Sequence, residues 1–201
     1  MNWKKISILL LILIVADQIL KIWIKTSLHL GEAIVVFPDW FQLRFVENNG
    51  AAFGMQIASG GAFDWGKLLL SLFRVGLVGA MLYYIHRLLK EKAPVGVIVG
   101  LVMIIAGAVG NIIDSAFYGL MFSESTPATI AHFGGSYAPF MMGKVVDMFY
   151  FPLFKWDSCP NFLSFLVDSQ NYFFGAIFNL ADAYISVAVV YLLIFQYKFF
   201  K

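Results

Sequence analysis

Four stretches of this chain, 6–27, 66–89, 95–117 and 176–198, are each long and apolar enough to cross a bilayer. That feature decides the class of fold. Crossing roughly 30 Å of hydrocarbon takes about 20 mostly apolar residues, and a backbone in lipid must satisfy its own hydrogen bonds, which a helix does alone. Composition agrees: 61% of the 201 residues are hydrophobic and 13% charged, too little polar surface to solvate a domain of this size. The expectation is a mainly α membrane protein, a four-transmembrane-helix bundle built as a single domain over 1–201.

Basic residues set its orientation. Lys4 and Lys5, then Arg87, Lys90 and Lys92, then Lys198 and Lys201 flank one face of four crossings. Both termini and the KEKAP loop are therefore expected in the cytoplasm. Segments 28–65 and 118–175 then lie outside, with Arg44, Lys144 and Lys155 as their clear basic residues. In the first, AIVVF-PD-WFQLRFV has two β-rich runs about a Pro-Asp turn signal and predicts a small extracytoplasmic hairpin or curved sheet. The second is rich in Gly, Pro, Ser, Phe and Tyr and reads as loop along the membrane surface. The N-terminal MNWKKISILLLILIVA mimics a secretory signal. Ile14 fits a cleavage site poorly, and the apolar pattern continues as DQILKIWI, so this reads as an uncleaved first span.

Several functions are excluded. A net charge of +2, scattered along the chain, does not suit nucleic-acid binding. The single cysteine, Cys159, leaves no disulfide framework and no multi-cysteine zinc site. His29, His86 and His132 lie far apart without ligand spacing, and there is no HExxH, so neither a metal nor a cofactor is expected. Lys67 and Ser71, four apart on the second helix, imitate a Ser–Lys dyad, although a plain helix-surface contact explains them better. The absence of an internal repeat argues against an inverted-repeat transporter.

Polar residues at the helix ends then need an explanation. The third span closes with GNIIDS, placing Asn111 and Asp114 three apart; the fourth opens with NLAD, placing Asn179 and Asp182 three apart. An i,i+3 spacing puts both members on one helical face. Antiparallel neighbours would bring the two pairs to one depth, as interhelical glue or as a site. Asp147, in the short apolar run GKVVDMFYF of the second outer segment, faces partial desolvation. Folded back beside Asp182, it would make a pair of carboxylates that share one proton, because like charges at close range do not both ionise cheaply. One member then takes a proton from water while the other supports the carbonyl under attack, the chemistry of an aspartic protease. Asp17 and Arg74 each sit about 12–15 Å inside a helix end. They either pair near mid-membrane, or Arg74 snorkels outward toward the site.

Together these residues resemble lipoprotein signal peptidase, the signal peptidase II family. The first-helix signature reads DQILK (Asp17, Gln18, Lys21), the outer-loop motif NNGAAF (Asn48 to Phe53), the Gly-rich motif AGAVGNIID, and the two catalytic motifs VVDM and FNLADA. They span the chain in the family's order. The resemblance implies a membrane aspartic endopeptidase that removes the signal peptide of diacylglyceryl-modified prolipoproteins, cutting before the lipidated cysteine. Its implied partners are that substrate and membrane lipids, and it would work as a monomer in the bacterial cytoplasmic (inner) membrane, with its active site at the extracytoplasmic face. By motif, Asp147 and Asp182 are the catalytic pair. Asn48, Gly50, Asn111, Asp114 and Asn179 position the substrate backbone and support the dyad, while Asp17 and Lys21 are structural, as is Arg74.

Four departures stand out. Ser115 occupies the position of a family arginine, for which Arg74 or Lys144 could substitute. Ala106-Gly107 replaces Gly-Gly, and Asp147-Met148 replaces Asp-Phe. Segments 120–142 and 156–171 are insertions expected to lie over the site. The competing reading, a small polytopic transporter or ion-pathway subunit using Asp17, Arg74, Asp114 and Asp182, explains the membrane charges but neither Asp147 nor NNGAAF.

Overall fold

The computed structural model describes residues 1–38, 40–48, 65–160, 163, 164, 167 and 170–201. In chain order they form α1 (Trp3–Ser27), β1 (Ala33–Phe37), β2 (Phe41–Asn48), α2 (Trp65–Lys90), α3 (Val95–Ile113), β3 (Val145–Tyr150) and α4 (Leu180–Phe195). Helix α3 continues through a π-helical turn, Asp114–Tyr118, into Gly119–Met121. Three helical runs, Trp3–Ser27, Trp65–Lys90 and Val95–Met121, are long and apolar enough to cross a membrane.

The fourth is shorter than the sequence predicts. Helix α4 has 16 residues rather than the full stretch 176–198. Its start is set by Asn179, an extended residue whose side chain accepts from the Asp182 backbone N–H while the Asp182 carboxylate accepts from the Asn179 N–H. This reciprocal cap ends the extended chain at one residue and begins the helix at the next. Just before it, Phe178 pairs with Phe149 through backbone hydrogen bonds. Those residues are therefore strand-like although they are apolar.

The molecule is apolar outside and polar at one level inside. Leu11, Leu69, Phe73 and Leu193 are 62–69% exposed, so the bundle presents its large side chains outward, as a protein bathed in hydrocarbon does. Helix α3 is the central element and packs on α1, α2 and α4. At one end of the bundle Ile6, Ile85, Leu88, Val97, Ile98, Leu101, Val102, Ile105 and Leu192 form an apolar core. At the other, Ile24, Leu28, Phe45, Tyr118, Phe122, Val146 and Met148 form a second core beneath the sheet. Between the two, on α1, α3 and α4, lies a layer of buried polar groups: Asp17, Lys21, Asn111, Asp114 and Asn179.

The sheet closes this end with strand order β1-β2-β3, antiparallel throughout. The hairpin expected for 33–48 is present as β1 and β2, with Asp39 of its turn outside the described residues. The expected loop around Asp147 is instead a strand. Val46 pairs with Asp147 and Asn48 with Val145. Alternation along β3 sends Val146 and Met148 into the core under the sheet and Asp147 to the opposite face.

Close approach of α3 and α4 needs glycine at 107. A Cβ there would collide with the Ala181 carbonyl oxygen and Ile185, whereas a Cβ at Gly76 of α2 meets nothing within 4 Å. Gly107→Ala should therefore cost about 1–3 kcal/mol through overpacking, while Gly76→Ala should leave stability unchanged or raise it. Thermal unfolding of both variants in detergent tests this; equal midpoints would mean that the α3–α4 contact has slack.

Candidate active site

Helix α1 carries Asp17 and Lys21 one turn apart, so both point into the polar layer. The Lys21 ammonium has three N–H donors and three partners: Asp17 Oδ2 at 3.0 Å, Asp114 Oδ2 at 2.8 Å and Asn111 Oδ1 at 2.8 Å. All three side chains are buried, and Lys21, Asp17 and Asp114 have no exposed surface. Buried charge is tolerable only when paired and fully hydrogen-bonded, and this one is. The remaining carboxylate oxygens are also satisfied. Asp17 Oδ1 accepts from the Ala181 backbone N–H at 2.9 Å, one of the orphan donors at the start of α4. Gln18 Nε2 donates to Asp114 Oδ1 at 3.0 Å, and the Val146 N–H donates to Asp114 Oδ2 at 3.3 Å.

The other two carboxylates meet over this base. Asp147 Oδ2 accepts from Asn48 Nδ2 at 2.8 Å, and Oδ1 accepts from Asn179 Nδ2 at 2.6 Å. Asp182 Oδ1 accepts from Asn111 Nδ2 at 2.9 Å. Asn179 bridges the pair: its Nδ2 serves Asp147 and Asn111 Oδ1, while its Oδ1 and N–H complete the cap with Asp182. The environments differ. Asp147 is 2% exposed, whereas Asp182 is only partly buried. Burial, then the nearby Asp182 charge, push the Asp147 carboxyl up to about 7, against the opposing pull of the Asn48 and Asn179 hydrogen bonds and of Lys21. One carboxylate thus retains a proton near neutrality beside a second that water can reach.

The structure brings Asn48, Asn111, Asp114, Asp147, Asn179 and Asp182 together, with Asp17 and Lys21 beneath them. Gly50 and 49–53 of the NNGAAF motif lie outside the described residues. Two readings change. The i,i+3 spacing of Asn179 and Asp182 reflects a helix cap rather than a shared helical face. The ion-pair partner of Asp17 is Lys21, one turn along its own helix, so no reach across to Arg74 is involved. Arg74 is half-buried on α2.

Gln18 of DQILK has a task that the motif alone does not disclose. Its amide donates to Asp17, the Gly110 carbonyl and Asp114, and its carbonyl oxygen accepts from Tyr118 Oη at 3.1 Å. Ser115 is 1% exposed in the π-helical turn, where its carbonyl accepts from the Gly143 N–H. Lys144 is engaged with Glu47 at 3.3 Å and Glu124 at 3.7 Å.

Comparison with known proteins agrees along nearly the whole chain. Residues 9–198 match the family model described as signal peptidase (SPase) II. The lipoprotein signal peptidase of Porphyromonas gingivalis (strain ATCC 33277) is 42% identical over 194 residues, 95% of this chain and 82% of that protein. That of Amoebophilus asiaticus is 32% identical over 193 residues, covering 93% and 75%. Two solved structures of bacterial membrane enzymes share the fold at 21% identity. Their TM-scores are 0.65 and 0.63, with 98% and 96% of this chain covered and 89% and 92% of theirs.

The polar layer makes a stability prediction. Lys21→Met leaves Asp17 and Asp114 buried without their cation and should cost about 3–5 kcal/mol. Adding Asp114→Asn should recover part of that loss, because one uncompensated charge is removed. Thermal unfolding in detergent measures both, and a double variant no more stable than the single would refute the shared-charge account.

Proposed function

The chain belongs to the signal peptidase II family, and we infer that it is the peptidase that removes the signal peptide of diacylglyceryl-modified prolipoproteins, cutting before the lipidated cysteine, with Asp147 and Asp182 as its catalytic pair. The observation that carries the dyad is the bridge at Asn179, whose side-chain amide donates to the buried Asp147 carboxyl while its Oδ1 accepts from the Asp182 backbone N–H and its own N–H donates to the partly exposed Asp182 carboxylate.

The geometry supports a division of labour. Asp182, the more accessible member, takes a proton from a water whose oxygen attacks the scissile carbonyl carbon. Asp147 donates its proton to the carbonyl oxygen as the tetrahedral diol forms. Collapse of the diol breaks the C–N bond, the leaving nitrogen takes the proton held by Asp182, and Asp147 recovers one from the diol. Asn48, Asn111 and Asn179 hold the carboxylates; Asp114 positions β3 through the Val146 N–H; Gly50 lies beyond the described residues and is assigned by motif alone. Arg74 takes the place of the family arginine lost at Ser115, since Lys144 is occupied with Glu47 and Glu124.

In the membrane, α1 to α4 make four crossings within one domain, both termini lie in the cytoplasm, and the sheet and dyad sit at the outer face of the bacterial inner membrane. The basic residues at 4–5, 87–92 and 198–201 support this orientation. The short α4 spans with the extended residues before it and the turn after it. The enzyme acts as a monomer on its lipid-modified substrate. A transporter reading has no use for a carboxylate on β3.

Cleavage of a diacylglyceryl-modified prolipoprotein by purified enzyme, read by gel shift, should fall at least about a thousandfold in both Asp147→Asn and Asp182→Asn, with the fold kept. Activity surviving in either variant reassigns the dyad. The same assay across pH should give a bell. Asp147 sits above the ordinary carboxylate range, so the singly protonated pair persists to near neutrality and activity falls as pH rises beyond about 7. At the acid side activity falls as the second proton binds. The apparent values belong to the pair. A flat profile from pH 5 to 9 would contradict proton sharing.

A further inference from the structure

A second buried charge cluster lies one turn beyond the dyad's base. Lys25 follows Lys21 by four residues on the same stripe of α1. Its ammonium bonds the Glu47 carboxylate and donates to Ser125 Oγ at 2.8 Å, and Ser125 Oγ donates to the same Glu47 oxygen at 2.9 Å. The Lys25 and Glu47 side chains are 0% and 2% exposed. Lys144 meets the second Glu47 oxygen at 3.3 Å. Three rings surround the Lys25 ammonium: Tyr137 at 5.0 Å, Phe122 at 5.5 Å and Phe45 at 6.0 Å. None of these groups takes part in the chemistry described above.

Most of this enclosure comes from the 120–142 segment, which supplies Phe122, Ser125 and Tyr137. The segment is tied to the end of α1 by the Leu30 N–H, which donates to the Thr126 carbonyl at 3.1 Å. Phe122 packs with Ile24, Leu28, Phe45, Val146 and Met148. Val146 and Met148 point to the face of β3 opposite Asp147. This part of the segment therefore packs behind the sheet, not over the dyad. Glu47 is the residue next to Asn48, and alternation along β2 sends their side chains to opposite faces. One face is clamped by Lys25; the other delivers the Asn48 amide to Asp147 at 2.8 Å.

We propose that Lys25, Glu47 and Ser125 are positioning residues for the dyad: the buried ion pair, closed over by the 120–142 segment, fixes the end of β2 so that Asn48 stays hydrogen-bonded to Asp147. This rests on the reading of Asp147 as catalytic. Lys25–Glu47 ties this end of β2 to α1, the helix that also carries Asp17 and Lys21. The charged groups around Asp147 are Asp182 on α4, Lys21 on α1, Asp114 after α3 and Arg74 on α2. Those around Glu47 are Lys25, Lys144 and, through Lys144, Glu124. Neutralising the Lys25–Glu47 pair therefore reaches Asp147 through the position of Asn48.

The test is kcat/KM against pH for the full-length enzyme in detergent, with a diacylglyceryl-modified prolipoprotein as substrate. Four proteins are compared: wild type, Lys25→Met with Glu47→Gln, Asn48→Ala, and all three changes together. The paired change avoids leaving Glu47 as a buried charge without Lys25. It should lower kcat/KM about 10- to 100-fold and move the bell upward by about one pH unit, because Asp147 loses a donor that favours its charged form. Asn48→Ala should give the same shift, and the triple variant should add nothing to it. An unshifted profile in the paired variant, or a full additional loss in the triple, overturns the proposal. Ser125→Ala covers the case in which the paired variant fails to fold. It should shift the profile in the same direction by less, whereas a lowered unfolding temperature with an unmoved profile makes the cluster a brace only and also overturns the proposal. Cleavage surviving in Asp147→Asn would instead remove the dyad reading on which the clamp depends.

Discussion

The ammonium of Lys21 is the interaction from which the rest of the site follows. It sits where no water helps it and uses every donor it has on Asp17, Asp114 and Asn111. Each bond decides a further one. Because Asn111 Oδ1 accepts from Lys21, its Nδ2 is turned toward Asp182. Because Asp114 is held by Lys21, its second role is to accept from the Val146 N–H, which sets the level of β3 and so of Asp147. Asp17, held by the same cation, accepts from the Ala181 N–H and sets the level of α4, and so of Asp182. Both carboxylates of the proposed dyad are located from one buried charge. A single cation between two carboxylates leaves negative charge over, and the start of α4, with its positive dipole end and an Ala181 N–H that donates to Asp17, lies where that excess is best tolerated.

Such a layer works only if the helices approach closely, which explains where the small residues fall. A Cβ at Gly110 would lie 2.6 Å from Asp17 Oδ2, and one at Gly107 would strike the Ala181 carbonyl. Gly107 keeps α3 against the α4 backbone and Gly110 keeps it against Asp17 of α1, so short carboxylate and amide side chains can bridge three helices. Longer side chains would be needed if the helices stood further apart, and they would hold the dyad less firmly. The apolar cores on either side complete the device. They exclude water from the layer at both ends, which raises the cost of breaking any of its bonds.

What the sequence revealed and what it hid divide along physical lines. Apolar runs longer than a span and carboxylates inside them are properties of local composition. The three long helices, the β1–β2 hairpin and the grouping of Asn111, Asp114, Asn179 and Asp182 could therefore be anticipated. The motifs named Asp147 and Asp182. Pairing across the chain could not be read the same way. GKVVDMFYF looks like loop because the partner that makes it a strand, β2, lies about a hundred residues earlier. Opposite helices make Arg74 a partner for Asp17 on paper, but the i,i+4 spacing to Lys21 is the nearer solution. Lys25 and Glu47 each resemble an ordinary flanking charge in the sequence, because Phe122, Ser125 and Tyr137 enclose them only in the fold. Hydropathy does not distinguish an apolar extended segment from a helix, whereas the Asn179–Asp182 cap does and sets the start of α4.

The two members of the proposed dyad are also unlike in their support, and the proposed chemistry uses that difference. Asp147 comes from the middle of a strand, with an amide donor on each oxygen and almost no exposed surface. It cannot swing without breaking both bonds, and burial favours its neutral form. Asp182 sits in the first turn of a helix, where its backbone N–H is capped by the same Asn179 that serves Asp147. It keeps an accessible side, so it can exchange a proton with water. Taking one from β3 and one from α4 separates them by environment, and bridging them through one asparagine keeps them close. The meeting of a sheet with a helix N-terminus at the edge of the apolar bundle thus gives two neighbouring aspartates unlike surroundings, as the proposed acid and base require.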